Sequence, residues 1–554
     1  KADYGSVIYL GGMDKTGSLF TSELNLGFGA RIVFDAEGNN VDKFVATKMT
    51  IEKKNWENGP EYDAPVFEFT SAPQAGDYVL AEVAELTGNI ADIVVEGLSG
   101  KKYQLAYADG KITMTIQDGR ESESVTWTGE GGSTWDLMNT ANFSSSDNTF
   151  VTGDDVTFDD NASTTSVNIA ENITPGSVVF KNNSKTYTVS GDGAIEGDIQ
   201  LRVEGSGTVN INNVNKYSGG TVVSGGTLVP ASLANNDGLQ YGALGDVSNT
   251  ITLVDNGTLK TTSNMTASHT IVIGDKGGTI NTTGTLILNG AVKKNNTGKD
   301  RDLHKTGTGT LQLNGSADYD KLYIEGGTVY DFGDSHFNGK TVVLNGDKVV
   351  LKAENTIYSN NSDNVNIDVP EGSTASWYPD GRCDYTGKLT GAGTIDIYAT
   401  WVRCPFNGDW SGFTGTINAK RGNKNAYEPV FDFNNTHGIP QATLNVDARF
   451  TKDTPFNTSG KNFAIGALMG SGYISNGGYY GSSTNTLTIG GKNVNFNFSG
   501  SINGSNVVKN GTGVWTIASE NVLANAKSLK IVEGVVKLNK ATATMSMTAP
   551  HLTS

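Results

Sequence analysis

Paired carboxylates are the residues of this 554-residue chain that could most readily do chemistry. Two carboxyls across a groove could cleave a glycosidic bond, and a carboxylate cluster with Ca²⁺ beside a basic residue could support a lyase reaction. The close pairs are Asp154 with Asp155, Asp159 with Asp160, Asp318 with Asp320, and Asp331 with Asp334. Spacing alone shows neither arrangement, so a polysaccharide lyase or hydrolase stays open as an alternative function.

Other reaction chemistry finds no support in the sequence. No two histidines stand at a metal-ligand spacing, no Gly-x-Ser-x-Gly elbow occurs with a plausible triad, and the Gly-x-Gly runs precede strands instead of opening helices. The histidines are His269, His304, His336, His437 and His551. We expect no catalytic residue, no metal and no cofactor.

Aromatic side chains could bind a glycan, because exposed rings stack on sugar faces. The candidates are Trp377, Tyr378, Trp401, Trp410, Tyr473, Tyr479 and Tyr480. The alternative for any one of them is packing in the core. We expect the loop of residues 473–480 to be the better exposed.

Composition and charge limit the class of protein. With 70 Gly, 12 Pro and only 18% charged residues, the chain is typical of β-structure with many tight turns. Its formal charge of −17 disfavours nucleic acid as a partner, because such binding needs a basic face. No stretch approaches the roughly 20 apolar residues that span a bilayer. The first residues lack Met and an apolar signal core, so we expect a processed product or a segment of something longer.

A short phrase returns along the chain and predicts the elements that must position these residues. Each copy has a glycine turn followed by alternating apolar and polar residues, which indicates a strand with one buried face. The copies are 205–211 (GSGTVNI), 307–313 (GTGTLQL), 391–397 (GAGTIDI) and 511–517 (GTGVWTI).

A second phrase fixes the period. It contains Gly225-Gly226-Thr227 after the first copy and Gly326-Gly327-Thr328 after the second, at offsets of 20 and 19 residues. A period near 20 in a chain of short strands suits one coil of a solenoid. We therefore predict an all-β, elongated, right-handed parallel β-helix with coils of about 20 residues.

Two cysteines provide a local check on this period. The segment around Cys383 realigns with that around Cys404 at an offset of 21 residues, which places them on adjacent coils about 4.8 Å apart. We predict that they stack, either as a disulfide or as a ladder of buried thiols.

The chain divides into two regions. Residues 1–120 read as an irregular β-helical segment that ends in a closing hairpin, signalled by Asp109-Gly110 before the alternating Lys111 to Ile116. Residues 121–554 read as a β-helix with degenerate Gly-Thr repeats.

Two stretches of sequence resemble a known family. They are Trp127-Thr128-Gly129 followed by Gly153-Asp154-Asp155-Val156-Thr157-Phe158 and Pro175-Gly176-Ser177, and the run from Tyr217-Ser218-Gly219-Gly220-Thr221 to Gly226-Thr227-Leu228. Together they resemble the autotransporter-associated, or passenger-associated, β-strand repeat family. Residues 76–116 look like the unit that often closes such a repeat block, and 409–417 is similar in style to large surface proteins of gut Bacteroidetes.

The resemblance implies a non-catalytic β-helix at the cell surface of, or secreted by, a Gram-negative bacterium, acting as a stalk or adhesin. Its expected partners are polysaccharides or host surface ligands, and outer-membrane proteins. A further alternative is an accessory scaffold of an outer-membrane assembly. Residues 530–554 show no amphipathic strands of an outer-membrane barrel, so the route of export stays open.

Overall fold

The computed structural model describes residues 6–10, 17–27, 29–52, 64–98, 101–235, 238–332, 337–353, 362–379, 383–399, 404–422, 431–477 and 485–539. These residues are almost wholly β-strand and turn, with one 3₁₀ helix at Ile90–Asp92. They form two compact units, residues 1–178 with 191–196 and residues 179–190 with 197–554. Among the described residues, no helix has the length and apolar character needed to cross a membrane.

The strands up to residue 169 are β1 (Val7–Tyr9), β2 (Ser18–Leu26), β3 (Arg31–Phe34), β4 (Ala36–Glu37), β5 (Asn40–Val41), β6 (Lys43–Ile51), β7 (Val66–Phe69), β8 (Gly76–Thr87), β9 (Val94–Glu96), β10 (Lys101–Ala108), β11 (Lys111–Asp118), β12 (Ser124–Thr126), β13 (Thr134–Trp135), β14 (Asp155–Phe158) and β15 (Ser166–Ile169).

The first unit begins as two parallel sheets between which the chain alternates. One has the order β1-β3-β7-β9, and the other contains β2, β6 and β8 side by side. The hairpin β10–β11 then joins the edge of β8 antiparallel, through a turn in which Asp109 and Gly110 both have positive φ. This confirms the Asp-Gly hairpin. Buried rings fill the space between the sheets, with Phe34 and Phe69 stacked at 5.1 Å.

From residue 177 the strands are β16 (Ser177–Phe180), β17 (Thr186–Ser190), β18 (Leu201–Val203), β19 (Thr208–Ile211), β20 (Thr221–Ser224), β21 (Thr227–Pro230), β22 (Tyr241–Gly242), β23 (Gly245–Asp246), β24 (Thr250–Val254), β25 (Gly257–Thr261), β26 (Met265–Ala267), β27 (Thr270–Ile273), β28 (Gly278–Thr282), β29 (Thr285–Leu288), β30 (Val292–Lys294), β31 (Leu303–Thr306), β32 (Thr310–Leu313), β33 (Lys321–Ile324), β34 (Thr328–Asp331), β35 (Thr341–Leu344), β36 (Val349–Ala353), β37 (Ser362–Asp363), β38 (Asn366–Val369), β39 (Thr374–Tyr378), β40 (Asp384–Tyr385), β41 (Leu389–Gly391), β42 (Thr394–Ala399), β43 (Cys404–Phe406), β44 (Thr416–Arg421), β45 (Phe431–Phe433), β46 (Ile439–Val446), β47 (Phe456–Asn457), β48 (Phe463–Gly470), β49 (Tyr473–Ser475), β50 (Thr486–Ile489), β51 (Phe496–Phe498), β52 (Ser501–Asn503), β53 (Asn506–Lys509), β54 (Val514–Ile517), β55 (Ser528–Ile531) and β56 (Val535–Leu538).

The second unit is a stack of parallel coils whose successive strands belong to different sheets. Sheet A contains β18, β20, β24, β27 and β30, and sheet B runs from β17 and β19 to β38 and β41. Sheet C begins at β26 and includes β34, β36, β39, β42, β44 and β46, while sheet D runs from β37 to β52. The all-β parallel solenoid predicted from the repeats is confirmed.

Coil length varies around the predicted 20 residues. In sheet B the inward side chains Val209, Leu228, Leu259 and Ile280 are paired in succession, at offsets of 19, 31 and 21 residues. All four are fully buried. Each such side chain contributes about 1.5–3 kcal/mol on burial, so the core is a ladder of apolar contacts between adjacent coils.

The repeated glycines are required because the coils are stacked closely. A Cβ at Gly307 or Gly391 would overlap a backbone carbonyl oxygen of the preceding coil, at Thr282 or Val369, and both glycines have positive φ. No side chain fits where one turn crosses another, which explains the Gly-x-Gly phrase.

Candidate functional site

Two of the three candidate tryptophans, Trp377 and Trp410, are buried. Trp377 is only 3% exposed, and its ring lies 5.0 Å from that of Tyr385 and 5.6 Å from that of Phe406. Trp410 is 1% exposed, and its Nε1 donates a hydrogen bond to the carbonyl oxygen of Gly387 at 3.2 Å. Both pack in the core, as in the alternative interpretation, so neither ring can stack on a sugar.

The tyrosine candidates differ in position. Tyr378 points outward from sheet C, and Tyr473 is half-buried, which raises the pKa of its hydroxyl. Trp401, Tyr479 and Tyr480 lie outside the described residues.

Tyr378 belongs to an outward column of sheet C that we call the Tyr–Lys strip. The strip consists of Tyr330, Lys352, Tyr378, Tyr398 and Lys420, one from each of five successive strands. The rings of Tyr378 and Tyr398 are stacked 4.4 Å apart at an angle of 3°, and Lys352 Nζ lies 4.5 Å from the centroid of the Tyr330 ring. The column runs along the stacking direction of the coils.

This packing decides what the strip can offer a ligand. Tyr378 and Tyr398 cover one face of each other's ring and share a side-chain hydrogen bond, so their ring edges are the parts most open to a ligand. Burial, followed by the neighbouring Tyr398 and Asp396, raises the pKa of Tyr378 above its ordinary value, and at neutral pH the hydroxyl is protonated, as in other tyrosines. The strip is suited to hydrogen bonding and edge contact.

A polar column lies beside the strip on the same sheet. Asn418 Nδ2 donates to Asp396 Oδ1 at 2.7 Å, and Asn445 Nδ2 donates to Asn418 Oδ1 at 3.0 Å. Lys420 Nζ is 3.0 Å from Asp396 Oδ2 and joins the two columns. These coil-to-coil bonds hold the surface side chains in fixed positions.

The structure tests part of the cysteine prediction. Tyr385 pairs with Phe406, which confirms the offset of 21 residues in this region. Cys383 is buried, whereas the side chain of Cys404 lies outside what the structure describes. Stacking of the two cysteines stays a prediction.

Asp154 and Asp159 have structural roles. Asp154 is fully buried and accepts two hydrogen bonds of 2.7 Å from Arg120, together with bonds from the backbone N–H groups of Val151 and Glu123. Asp159 accepts from the backbone N–H of Asn161. Asp154 thus fixes Arg120 and Glu123, which lie just before Trp127, and Asp159 stabilises a turn.

A second carboxylate pair belongs to an ion-pair network. Lys340 Nζ donates to Asp318 Oδ1 at 2.6 Å, Arg301 Nε lies 3.0 Å from Asp320 Oδ2, and Lys294 lies between both carboxylates. Burial alone would raise the pKa values of Asp318 and Asp320. The hydrogen bonds from the lysines and the arginine outweigh it and hold both pKa values below their ordinary range. Such carboxylates stay ionised and cannot serve as a general acid at neutral pH.

Asp331 and Asp363 are buried inside the solenoid. Burial, with a smaller contribution from Asp331, raises the pKa of Asp363 to about 6, although its Oδ1 accepts a hydrogen bond from Val365 N–H. The buried hydroxyl of Tyr319 has no hydrogen-bond partner among the described residues. Asp334 lies outside the described residues, and in the described ones no three His, Cys, Asp or Glu side chains could hold a metal ion.

Sequence reasoning missed two buried lysines, Lys305 and Lys509. Each is fully buried two residues before a Gly-x-Gly turn. Lys305 Nζ donates to the carbonyl oxygens of Thr306, Gly307 and Gly326, at 2.6, 3.2 and 3.1 Å. The signal that could have found them is the Lys at the same position in two of four copies.

Comparison with known proteins gives one match. The family model described as the passenger-associated transport repeat matches residues 201–229 and 303–329, which include two copies of the turn phrase. The Trp127 phrase lies outside these matched residues. No curated protein and no solved structure has significant similarity to the chain. The chain is a parallel β-solenoid that carries the passenger-associated transport repeat.

Proposed function

We propose that this chain is a non-catalytic surface or secreted solenoid of a Gram-negative bacterium that acts as a stalk or adhesin. The observation that supports this most is the passenger-associated repeat within a continuous stack of parallel coils. The carboxylates Asp154, Asp318 and Asp320 are engaged in hydrogen bonds and ion pairs that hold the fold together. Stability in such a stack comes from contacts between neighbouring coils, which suits a stalk that holds other elements away from the cell.

The adhesive contact in this proposal is a glycan that lies along the Tyr–Lys strip. Coils stack about 4.8 Å apart, so a polymer parallel to the stacking direction meets a hydroxyl or ammonium group at each coil. Fixed side chains lose little conformational entropy on binding, which favours such a repeated weak contact.

Localisation is tested on intact cells of the native host. Antibody against the second unit should label intact cells or detect the chain in the medium, while a periplasmic marker protein stays unlabelled. Labelling only after the outer membrane is permeabilised would contradict the proposal.

Glycan contact is tested by retention on immobilised polysaccharides. The double variant Tyr378→Ala with Tyr398→Ala should lower retention at least fivefold, because it removes two adjacent hydroxyls and their stacked rings. Tyr323→Ala is the matched control, since Tyr323 also stacks on a neighbour, His304, at 4.7 Å, but on sheet B. Equal retention of both variants would contradict a role for the strip.

A further inference from the structure

An open groove of about 720 Å³ lies in the first unit, on the outward side of strands β2, β6 and β8. Its lining includes Phe20, Val45, Thr47, Glu82 and Ala84, with Gly110 of the hairpin turn at one side. The groove is shallow and open to solvent, so a ligand would lie across the strands with its outer face exposed.

The wall of the groove is fixed by the hairpin. Strand β8 pairs with β11 over its first half and with β6 over its second, and the register with β11 shifts between Ile112 and Thr113. At the end of the hairpin, Val83 N–H donates to the carbonyl oxygen of Gly110 at 2.8 Å. Tyr107 Oη donates to the carbonyl oxygen of Val83 at 2.9 Å. These bonds hold the turn against the sheet, so the groove is formed before any ligand arrives.

Three neighbouring strands place complementary groups in one row. Phe20 pairs with Val45, and Val45 pairs with Glu82. Strands lie about 4.8 Å apart, so the backbone of Phe20 and that of Glu82 are roughly 10 Å apart. Phe20 is 74% exposed, Val45 is half-buried between the two, and Glu82 is exposed. The row offers an aromatic face, an apolar floor and a carboxylate.

We propose that this groove binds a neutral sugar residue of a glycan. The C–H face of a pyranose would pack on the Phe20 ring and Val45, and its hydroxyls would donate to the Glu82 carboxylate and to the Thr47 hydroxyl. Acidic sugars are disfavoured, because Glu82 is the charged group among the lining residues and the chain has a formal charge of −17, whereas Lys111, which pairs with Glu82 on β11, is not part of the lining. This inference goes beyond the proposed function, since it assigns a ligand class to a separate site in the first unit.

The test is saturation-transfer NMR on the full chain with methyl glycosides of glucose, galactose and mannose. The acid comparison uses the matched glucuronic and galacturonic acid glycosides. At least one neutral glycoside should give transfer, with signals several-fold stronger than those of its acidic counterpart. Phe20→Ala and Glu82→Gln should each reduce the transfer at least fivefold. Both side chains are exposed, so the melting temperature should not change.

Tyr9→Ala is the control, because Tyr9 is also an exposed aromatic side chain, at 67%, and lies on β1, in the other parallel sheet of the first unit and away from the groove lining. It should leave the transfer unchanged. Three results would overturn the proposal: no transfer to any neutral glycoside, equal transfer to the acidic ones, or full transfer in both groove variants. Loss of transfer in the double variant of the Tyr–Lys strip, with the groove variants unaffected, would assign the binding to the strip instead.

Discussion

Two copies of the Gly-x-Gly turn are supported by a lysine, and two by an apolar side chain. Lys305 and Lys509 each direct an ammonium group into the turn, where it donates to three backbone carbonyl oxygens. One of the three acceptors belongs to the next phrase along the chain, Gly326 or Glu533. The lysine therefore ties consecutive coils together.

The other two copies have Val203 and Leu389 at the equivalent position, and both are buried. These side chains fill the same inward place with apolar volume and donate no hydrogen bond. The glycines therefore specify the turn, while the inward position accepts either an apolar side chain or a hydrogen-bonded cation. Burial of a lysine there is opposed by desolvation, and the cost would be larger if its carbonyl partners were missing.

The largest expected effect comes from Lys305→Ala. It removes the ammonium, leaves three carbonyl acceptors to be satisfied and opens a cavity, so the local free energy of opening should fall by about 4 kcal/mol. Hydrogen exchange of the amides in β31 to β34 measures this. Lys293→Ala is the control, since Lys293 is exposed on β30, and should change exchange by less than about 0.5 kcal/mol. Equal effects of the two variants would show that the buried ammonium does not stabilise the turn.

A pH series measures what burial of the Lys305 ammonium costs relative to an apolar side chain. Burial lowers the pKa of Lys305 to about 8 from its ordinary value of 10.5. Between these values the unfolded chain binds more protons than the folded one, so local stability should rise as pH increases from 8 to 10.5, by up to about 3 kcal/mol. The rise is taken as the difference between wild type and Lys305→Leu, which cannot titrate. If the stability difference between wild type and Lys305→Leu did not change over this pH range, burial of the ammonium would have no net free-energy cost.

The buried carboxylate of Asp363 should give the opposite change of local stability with pH. The pKa of Asp363 is raised to about 6, so the folded state binds more protons between pH 4 and 6 and stability falls as pH rises through that window. Asp363→Asn should raise local stability at pH 7.5 by about 2 kcal/mol and remove this slope, because the amide oxygen can still accept from Val365 N–H. Asp384→Asn, at an exposed position one coil later, is the control for hydrogen exchange in β38. A stability loss in Asp363→Asn would show that the ionised carboxylate is needed.

The smallest effect is expected for Lys305→Leu at pH 7. This variant copies Leu389, so lost hydrogen bonds and regained apolar volume should offset to within about 1 kcal/mol. The reciprocal variant Leu389→Lys should change local stability by a similarly small amount if the carbonyl groups of its turn accept hydrogen bonds from the new ammonium group. Unfolding of β31 to β34 in Lys305→Leu would show that leucine cannot replace lysine at this inward position.

The period and alternation of the sequence predict the solenoid because each coil repeats the same two constraints, a glycine at the crossing and an apolar inward ladder. Alternation also separates Trp377 from Tyr378 once the phase is set by the buried Ala375. Alternation gives the wrong side for Lys305, because polarity alone assigns a charged residue to the outward face of a strand.

The carboxylates could not be placed from sequence for a different reason. Asp331 and Asp363 belong to different sheets, and Arg120 reaches Asp154 from 34 residues away. Coil offsets between 19 and 31 residues in sheet B leave such neighbours undetermined until the backbone is known.

The central claim, a binding solenoid without catalysis, is tested most directly by incubating the purified chain with a panel of plant and host polysaccharides in the presence of Ca²⁺. Retention and product release are measured on the same samples. We expect retention on at least one polysaccharide, with reducing and unsaturated ends no higher than in a heat-denatured control. Release of such ends by the native chain alone would contradict it.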